Sequence, residues 1–228
     1  MHGGVSLRRV TFAGDLYFAM IDRLVLGTGN RKKLLEMEGL LQGTGLRLLT
    51  LSDFTGITEV VEDGHSFAEN AEKKARGYAL ATGCWTVCDD SGISVDALNG
   101  APGIYSARFA GPGANDDANN RLLLEKLKGV PDDERTAYYT CHIALADPSG
   151  TIRIRSEGIC RGRLRHELDG QGGFGYDPLF ELMEYHVTFG RLGSAAKSVI
   201  SHRARALRDF CRQLQQLQQT RPEKEVSR

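Results

Sequence analysis

From Met20 to about Leu217, short apolar runs alternate with stretches of helical period, an order that leaves few architectures besides a layered α/β fold. Residues 21–26 read as the first strand and run into a glycine-containing turn, after which Leu34, Met37 and Leu41 share one helix face. Residues 46–51 read as a second strand. Ser66-Phe67-Ala68-Glu69 has the form of a capping box and opens a helix with Phe67, Ala71, Ala75, Tyr78 and Ala79 on its apolar face. A short strand follows at 85–88, then a helix at 116–127. Residues 138–146 and 151–155 form a hairpin whose turn, Asp147-Pro148-Ser149-Gly150, carries type I preferences at each position. Ser201 caps a last helix with Leu207, Phe210, Leu214 and Leu217 facing inward. The reading is one α/β unit around a mixed sheet, in two lobes with a cleft between them, spanning residues 20–218. Residues 1–19 are expected to be a disordered extension or to precede a true start at Met20, and the polar tail 219–228 is expected to fray.

The chain carries 29 basic and 29 acidic residues for a net charge of zero, which gives no support to binding long nucleic acids. No apolar run approaches membrane-spanning length, and the first nineteen residues lack the hydrophobic stretch of a signal peptide. Five cysteines without a Cys-x-x-Cys motif read as reduced thiols, which points to the cytoplasm.

The chemistry concentrates in five places. Cys88-Asp89-Asp90-Ser91-Gly92 ends the third predicted strand in two adjacent carboxylates, which repel each other and are costly to desolvate without a counter-charge. Oxygen ligands of this kind suit Mg²⁺, although such a run equally suits a solvated strand-to-loop turn. Thr28-Gly29-Asn30-Arg31-Lys32-Lys33 lies between strand and helix, a natural anion site, or else a tight turn with solvated lysines. Glu69 has capping duty, whereas Glu62 has none and can approach Asp90 across a cleft. Lys73 is the i+4 neighbour of Glu69, which leaves Lys74 without an intrahelical partner. Gly170-Gln171-Gly172-Gly173-Phe174-Gly175-Tyr176-Asp177-Pro178 lets backbone wrap a flat ligand, with Phe174 or Tyr176 stacking on a base, or forms a surface turn fixed by Asp-Pro. Lys197, His202 and Arg203 offer donors to carbonyl oxygens, or begin a basic helix face continued by Arg205, Arg208 and Arg212.

Six ordered motifs together resemble the inosine/xanthosine triphosphate pyrophosphatases: Thr28-Gly29-Asn30-x-x-Lys33, Ser66-Phe67-x-Glu69-Asn70-Ala71-x-x-Lys74-Ala75, Asp89-Asp90-Ser91-Gly92, Gly100-Ala101-Pro102-Gly103-Ile104-Tyr105-Ser106-Ala107-Arg108, Gly172-Gly173-Phe174-Gly175-Tyr176-Asp177-Pro178 and Lys197-x-x-x-Ser201-His202-Arg203. The resemblance implies an elongated two-lobed α/β fold, usually a homodimer, and hydrolysis of deaminated purine nucleoside triphosphates to monophosphate and pyrophosphate with Mg²⁺. It implies that Thr28, Gly29, Asn30, Arg31, Lys32 and Lys33 hold the triphosphate, and that Lys74 offsets phosphate charge. Asp90 would be the general base and a metal ligand, supported by Glu62 and Asp89. Ser91, Phe174, Gly175, Tyr176, Asp177, Lys197, His202 and Arg203 would line the nucleotide pocket. Residues 181–196 depart from the family's pattern, with Arg191 where an acidic residue is expected. Alternative readings are a related pyrophosphatase for other modified nucleotides, a non-catalytic nucleotide-binding module, which retention of Glu62, Asp89 and Asp90 disfavours, and an RNA-binding helix, which the neutral charge disfavours.

Overall fold

The computed structural model describes residues 21–219, so the expectations for 1–19 and for the tail beyond 219 fall outside it. Among the described residues the chain forms β1 (Arg23–Leu26), α1 (Arg31–Leu41), β2 (Arg47–Thr50), α2 (Phe67–Thr82), β3 (Thr86–Val95), α3 (Asp116–Lys126), β4 (Thr136–Ala146), β5 (Ile152–Leu164), β6 (Phe180–Leu182), β7 (Val187–Thr188), α4 (Ser194–Ile200) and α5 (His202–Gln219). The strands make one mixed sheet in the order β2-β1-β3-β4-β5-β6-β7. β1 pairs in parallel with β2 and β3, and the remaining neighbours are antiparallel. No described helix is long and apolar enough to cross a membrane.

Helix starts follow from local chemistry. The Asn30 side chain accepts from the backbone N–H groups of Lys32 (3.0 Å) and Lys33 (3.2 Å), capping α1. Ser66 Oγ accepts from Glu69 N–H at 3.1 Å to cap α2. The Glu69 carboxylate completes the cap one residue earlier than a capping box prescribes, accepting from His65 N–H at 2.7 Å. α2 ends at Gly83 in the left-handed conformation, φ 65°.

The expected short strand at 85–88 is corrected to a ten-residue one. β3 continues through both aspartates because every residue from Thr86 to Val95 finds a partner on β4, from Ala146 to Ala137. The hairpin likewise reaches further than expected, with β5 extending to Leu164. Packing divides into three buried clusters. One joins β1 and the β4–β5 turn end to α1 and α5, a second lies under α2, and a third gathers Ile93, Val95, Leu123, Tyr139, Tyr176 and Phe180 at the other end of β3 to β5. The long strands thus carry two core lobes, and the cleft opens where β1 stops and β3 runs on. In the segment 181–196, β6 and β7 pair, and Arg191 Nε sits 3.2 Å from Asp169.

The hairpin turn depends on a fully buried carboxylate. Asp147 accepts from Ser149 N–H (2.9 Å), Ser149 Oγ (2.6 Å), Thr151 N–H (3.1 Å) and Arg153 Nε (2.6 Å). Burial pushes its pKa up, but these donors outweigh it and hold the carboxyl below the ordinary aspartate range. Asp147→Ala should lower stability by about 2 kcal/mol, a Tm drop of roughly 5 °C, by leaving several donors without a partner. Because the folded pKa is depressed, Asp147 contributes above the ordinary carboxylate pKa and loses that contribution as pH falls through the folded value. The Tm difference between parent and variant should therefore be full at neutral pH and shrink under strongly acidic conditions. Scanning calorimetry across pH reads it, and a difference that grew on acidification would contradict this account.

Candidate active site

Consecutive strand residues face opposite sides of a sheet, so the adjacent aspartates of β3 do not share a site. Asp89 points toward α1 and α5. Its Oδ2 lies 3.2 Å from Lys33 Nζ and 3.2 Å from Arg203 Nη2, and also accepts from Arg203 Nε at 3.3 Å. Burial alone would raise its pKa, yet Lys33, Arg203 and Lys74 hold it well below the usual carboxylate range. Asp90 points toward α2. Its Oδ2 accepts from Asn70 Nδ2 at 3.0 Å, its Oδ1 accepts from Ser91 N–H at 2.9 Å, and Lys74 Nζ lies 3.8 Å from Oδ1. Burial, aided by nearby Glu62, raises the Asp90 pKa against the pull of Lys74 and Lys33.

Lys74 is 7% exposed, not solvated, and its Nζ donates to Glu62 Oε1 at 2.9 Å. Burial lowers its pKa, but Asp90, Asp89 and Glu62 reverse the sign and bring it to about 12. Lys73 pairs with Asp63 in place of the expected Glu69. One buried ammonium therefore sits between two carboxylates, Glu62 and Asp90. These two fit Mg²⁺, which is commonly bound through one or two carboxylates with waters and substrate phosphates completing the octahedron. Asp89 stands apart from this pair: its Oδ2 meets Lys33 and Arg203 across the sheet, its buried Oδ1 has no hydrogen-bond partner, and among the described residues no three His, Cys, Asp or Glu side chains gather as a metal site.

On the Asp89 side a chain of opposite charges crosses the pocket. Arg203 Nη1 pairs with Glu36, Glu36 Oε1 lies 3.3 Å from Lys197 Nζ, and Lys197 Nζ lies 2.6 Å from Asp177 Oδ2. Asp177 also accepts from Phe174 N–H at 2.7 Å, which folds the glycine-rich loop over it. Gly173 is obligatory there: φ is +75°, and a Cβ would come within 2.0 Å of Asp177 Oδ2. Of the two aromatics, Phe174 is half-buried with Lys197 Nζ 4.5 Å from its ring centre, so its ring fits base stacking. Tyr176 is buried and its hydroxyl donates to the Ser106 carbonyl at 2.7 Å, which gives it a supporting role in place of the stacking one. His202 stacks on Tyr139, centroids 4.6 Å apart and planes within 8°. Burial and the neighbouring Arg203 and Lys197 push its pKa well below the ordinary histidine value, so it is neutral, and its buried Nδ1 has no hydrogen-bond partner. Four of the five Arg203 N–H groups are already engaged, by Asp89 twice, Glu36 and Ser91.

These groups line a cavity of about 540 Å³, within the range of small-ligand sites. Thr28, Gly29, Asn30, Lys33, Glu62, Lys74, Asp90, Ser91, Phe174, Gly175, Tyr176, Asp177, Lys197, His202 and Arg203 all reach its wall. Arg31 and Lys32 do not. Both are exposed at the start of α1, where helical geometry turns them outward while Lys33 turns in, and Lys32 lies 5.6 Å over the Phe174 ring and 3.8 Å from Asp116. Glu36, Tyr139, Asn119 and Arg108 were not assigned roles from sequence. Of these, only Arg108 lies within one of the six motifs, at the end of Gly100–Arg108.

If Asp89 is structural, removing its partner should cost more than removing both. Arg203→Met should destabilise by about 3–5 kcal/mol in denaturant unfolding, because it strands a buried charge, and adding Asp89→Asn should recover part of that loss. Additive losses would show that the two side chains do not depend on each other.

The Ham1 family model matches residues 24–213. A dITP/XTP pyrophosphatase from Rhodopirellula baltica is 51% identical over 197 residues, covering 86% of this chain and 95% of the relative. One from Desulforamulus reducens is 52% identical over 186 residues, covering 82% and 92%. Among solved structures, a HAM1 protein from Coxiella burnetii superposes with a TM-score of 0.79 at 35% identity, covering 85% of this chain and 98% of that one.

Proposed function

The chain belongs to the Ham1 family, and we propose that it hydrolyses dITP, ITP and XTP to the nucleoside monophosphate and pyrophosphate. It is a nucleoside-triphosphate pyrophosphatase, a hydrolase of nucleotide metabolism. The observation that carries the reading is Asp90: a buried carboxylate of raised pKa, fixed at both oxygens, in the wall of a nucleotide-sized cavity beside a buried lysine.

Asp90 is the general base. Asn70 and the Ser91 N–H orient its carboxylate, and a raised pKa suits a group that must take a proton from water near neutral pH. Asp90 and Glu62 would hold Mg²⁺, which when bound polarises the phosphoryl oxygens and acidifies a coordinated water. Lys74 stays charged throughout and offsets negative charge on the phosphates. The Thr28 to Lys33 turn positions the phosphate chain, with Lys33 already anchored on Asp89. Phe174 stacks on the base. His202, neutral and short of a partner at Nδ1, reads the base edge together with the remaining Arg203 N–H, a role its unpartnered nitrogen supports. Hypoxanthine and xanthine present a 6-oxo acceptor where adenine presents an amino donor, so a donor left unpaired opposes ATP. We place the enzyme in the cytoplasm, as the reading of its cysteines as reduced thiols suggests, and as a homodimer, as the resemblance implies.

A panel of nucleoside triphosphates with Mg²⁺, scored for pyrophosphate against orthophosphate, tests the reading. Pyrophosphate release should favour dITP and XTP over ATP, and release of orthophosphate alone would overturn it. Asp90→Asn should cut kcat by at least a hundredfold while leaving the Tm near that of the parent. Near-normal turnover in that variant would remove Asp90 from the base role.

A further inference from the structure

The wall of the cavity carries five lysine or arginine side chains, Lys33, Lys74, Arg108, Lys197 and Arg203, against five carboxylates, Glu59, Glu62, Asp90, Asp116 and Asp177. It has no net charge to spare for a triphosphate. Four of those cations are already committed: Lys33 to Asp89, Lys74 to Glu62 and Asp90, Lys197 to Asp177 and Glu36, Arg203 to Asp89 and Glu36. Arg108 differs. It is exposed, and no ion pair with a described carboxylate holds it; its guanidinium lies over the Tyr105 ring, 5.2 Å from the centroid. That is a weak contact at an exposed site, readily exchanged for a stronger one.

The backbone beneath Arg108 is rigidly tied to the rest of the site. It ends the 3₁₀ segment Gly103–Arg108, which lies against β3 two residues beyond Asp90. Ser106 Oγ accepts from Ile93 N–H at 2.9 Å and donates to the Gly103 carbonyl at 2.6 Å. A Cβ on Gly92 would fall 2.3 Å from Ser106 Oγ, so glycine in the Asp-Asp-Ser-Gly run is what lets this wall approach. On the other side Tyr176 donates to the Ser106 carbonyl at 2.7 Å, and Asn119 Nδ2 donates to the Ala107 carbonyl at 3.2 Å. A fixed backbone with an uncommitted guanidinium at the cavity mouth is the arrangement of a phosphate clamp, since the planar fork matches phosphate oxygens two at a time.

We propose that Arg108 is a substrate-binding residue that grips the outer phosphates of the triphosphate, the pair that leaves as pyrophosphate. The proposal rests on the pyrophosphatase reading above. The inner phosphate must face Asp90, where Ser91 and Lys74 already stand, and the base lies toward Phe174 and His202. That leaves the outer phosphates for a cation at the exposed rim.

The parent enzyme is first assayed with dITP and Mg²⁺; absence of pyrophosphate release there would overturn the pyrophosphatase reading, and this proposal with it. With an active parent, Arg108→Ala should raise KM for dITP at least tenfold and weaken inhibition by added pyrophosphate at least tenfold. Inhibition by deoxyinosine monophosphate should stay within twofold and the Tm should be unchanged. Arg108→Lys, which keeps charge but not the fork, should fall between the two. KM and pyrophosphate inhibition within twofold of the parent in Arg108→Ala would overturn the proposal while leaving the pyrophosphatase reading intact. A loss falling on the monophosphate in place of pyrophosphate would also overturn it.

Discussion

The site depends on how one carboxylate is kept charged inside a sheet. Asp89 is 1% exposed in the middle of a strand, a position where an isolated charge would neutralise or unfold the chain. Lys33 from α1 and Arg203 from α5 hold it ionised. Since Arg203 also binds Glu36, and Glu36 binds Lys197, whose ammonium binds Asp177, the charge on β3 is linked through α1, α5 and α4 to the glycine-rich loop. Buried ion pairs are weak evidence for stability as such, because desolvation offsets the attraction. What they do here is set distances between elements that carry substrate-facing groups.

Much of this was legible in one dimension. Periodicity placed α3 and α5 within a residue or two and found the apolar faces of α1 and α2, because most have a capping residue that the local sequence displays. Fifteen of the expected site residues reach one cavity because glycine, paired acids and lysine after a strand are costly unless used. The misses share one cause. The length of β3 and the separation of Asp89 from Asp90 are set by pairing with β4, fifty residues on, and no local pattern reports that. Glu36 was invisible for the same reason: its partner Arg203 lies 167 positions away. Arg31 and Lys32 stand outside the cavity wall, and a run of three basic residues does not reveal which one a helix turns inward.

The two sides of β3 carry a division of labour that pairwise contacts describe only in part. One aspartate joins the helices and the loop around the base, while the next meets α2, its lysine and Glu62. Ser91 touches both, its N–H donating to Asp90 and its hydroxyl accepting from Arg203. Ser91 thus ties the two faces of the strand together at the cavity wall.

That alternation constrains how the gene can vary. Deleting or inserting one codon within the stretch encoding β3 would rotate every following side chain to the other face, delivering a carboxylate meant for Lys74 to Arg203 and the reverse. Point changes along the strand can be absorbed one at a time, but a shift of frame in its pleat exchanges scaffold for chemistry in a single event. Length variation among descendants of this chain is therefore to be sought in its loops, with the ten positions from Thr86 to Val95 kept at constant count.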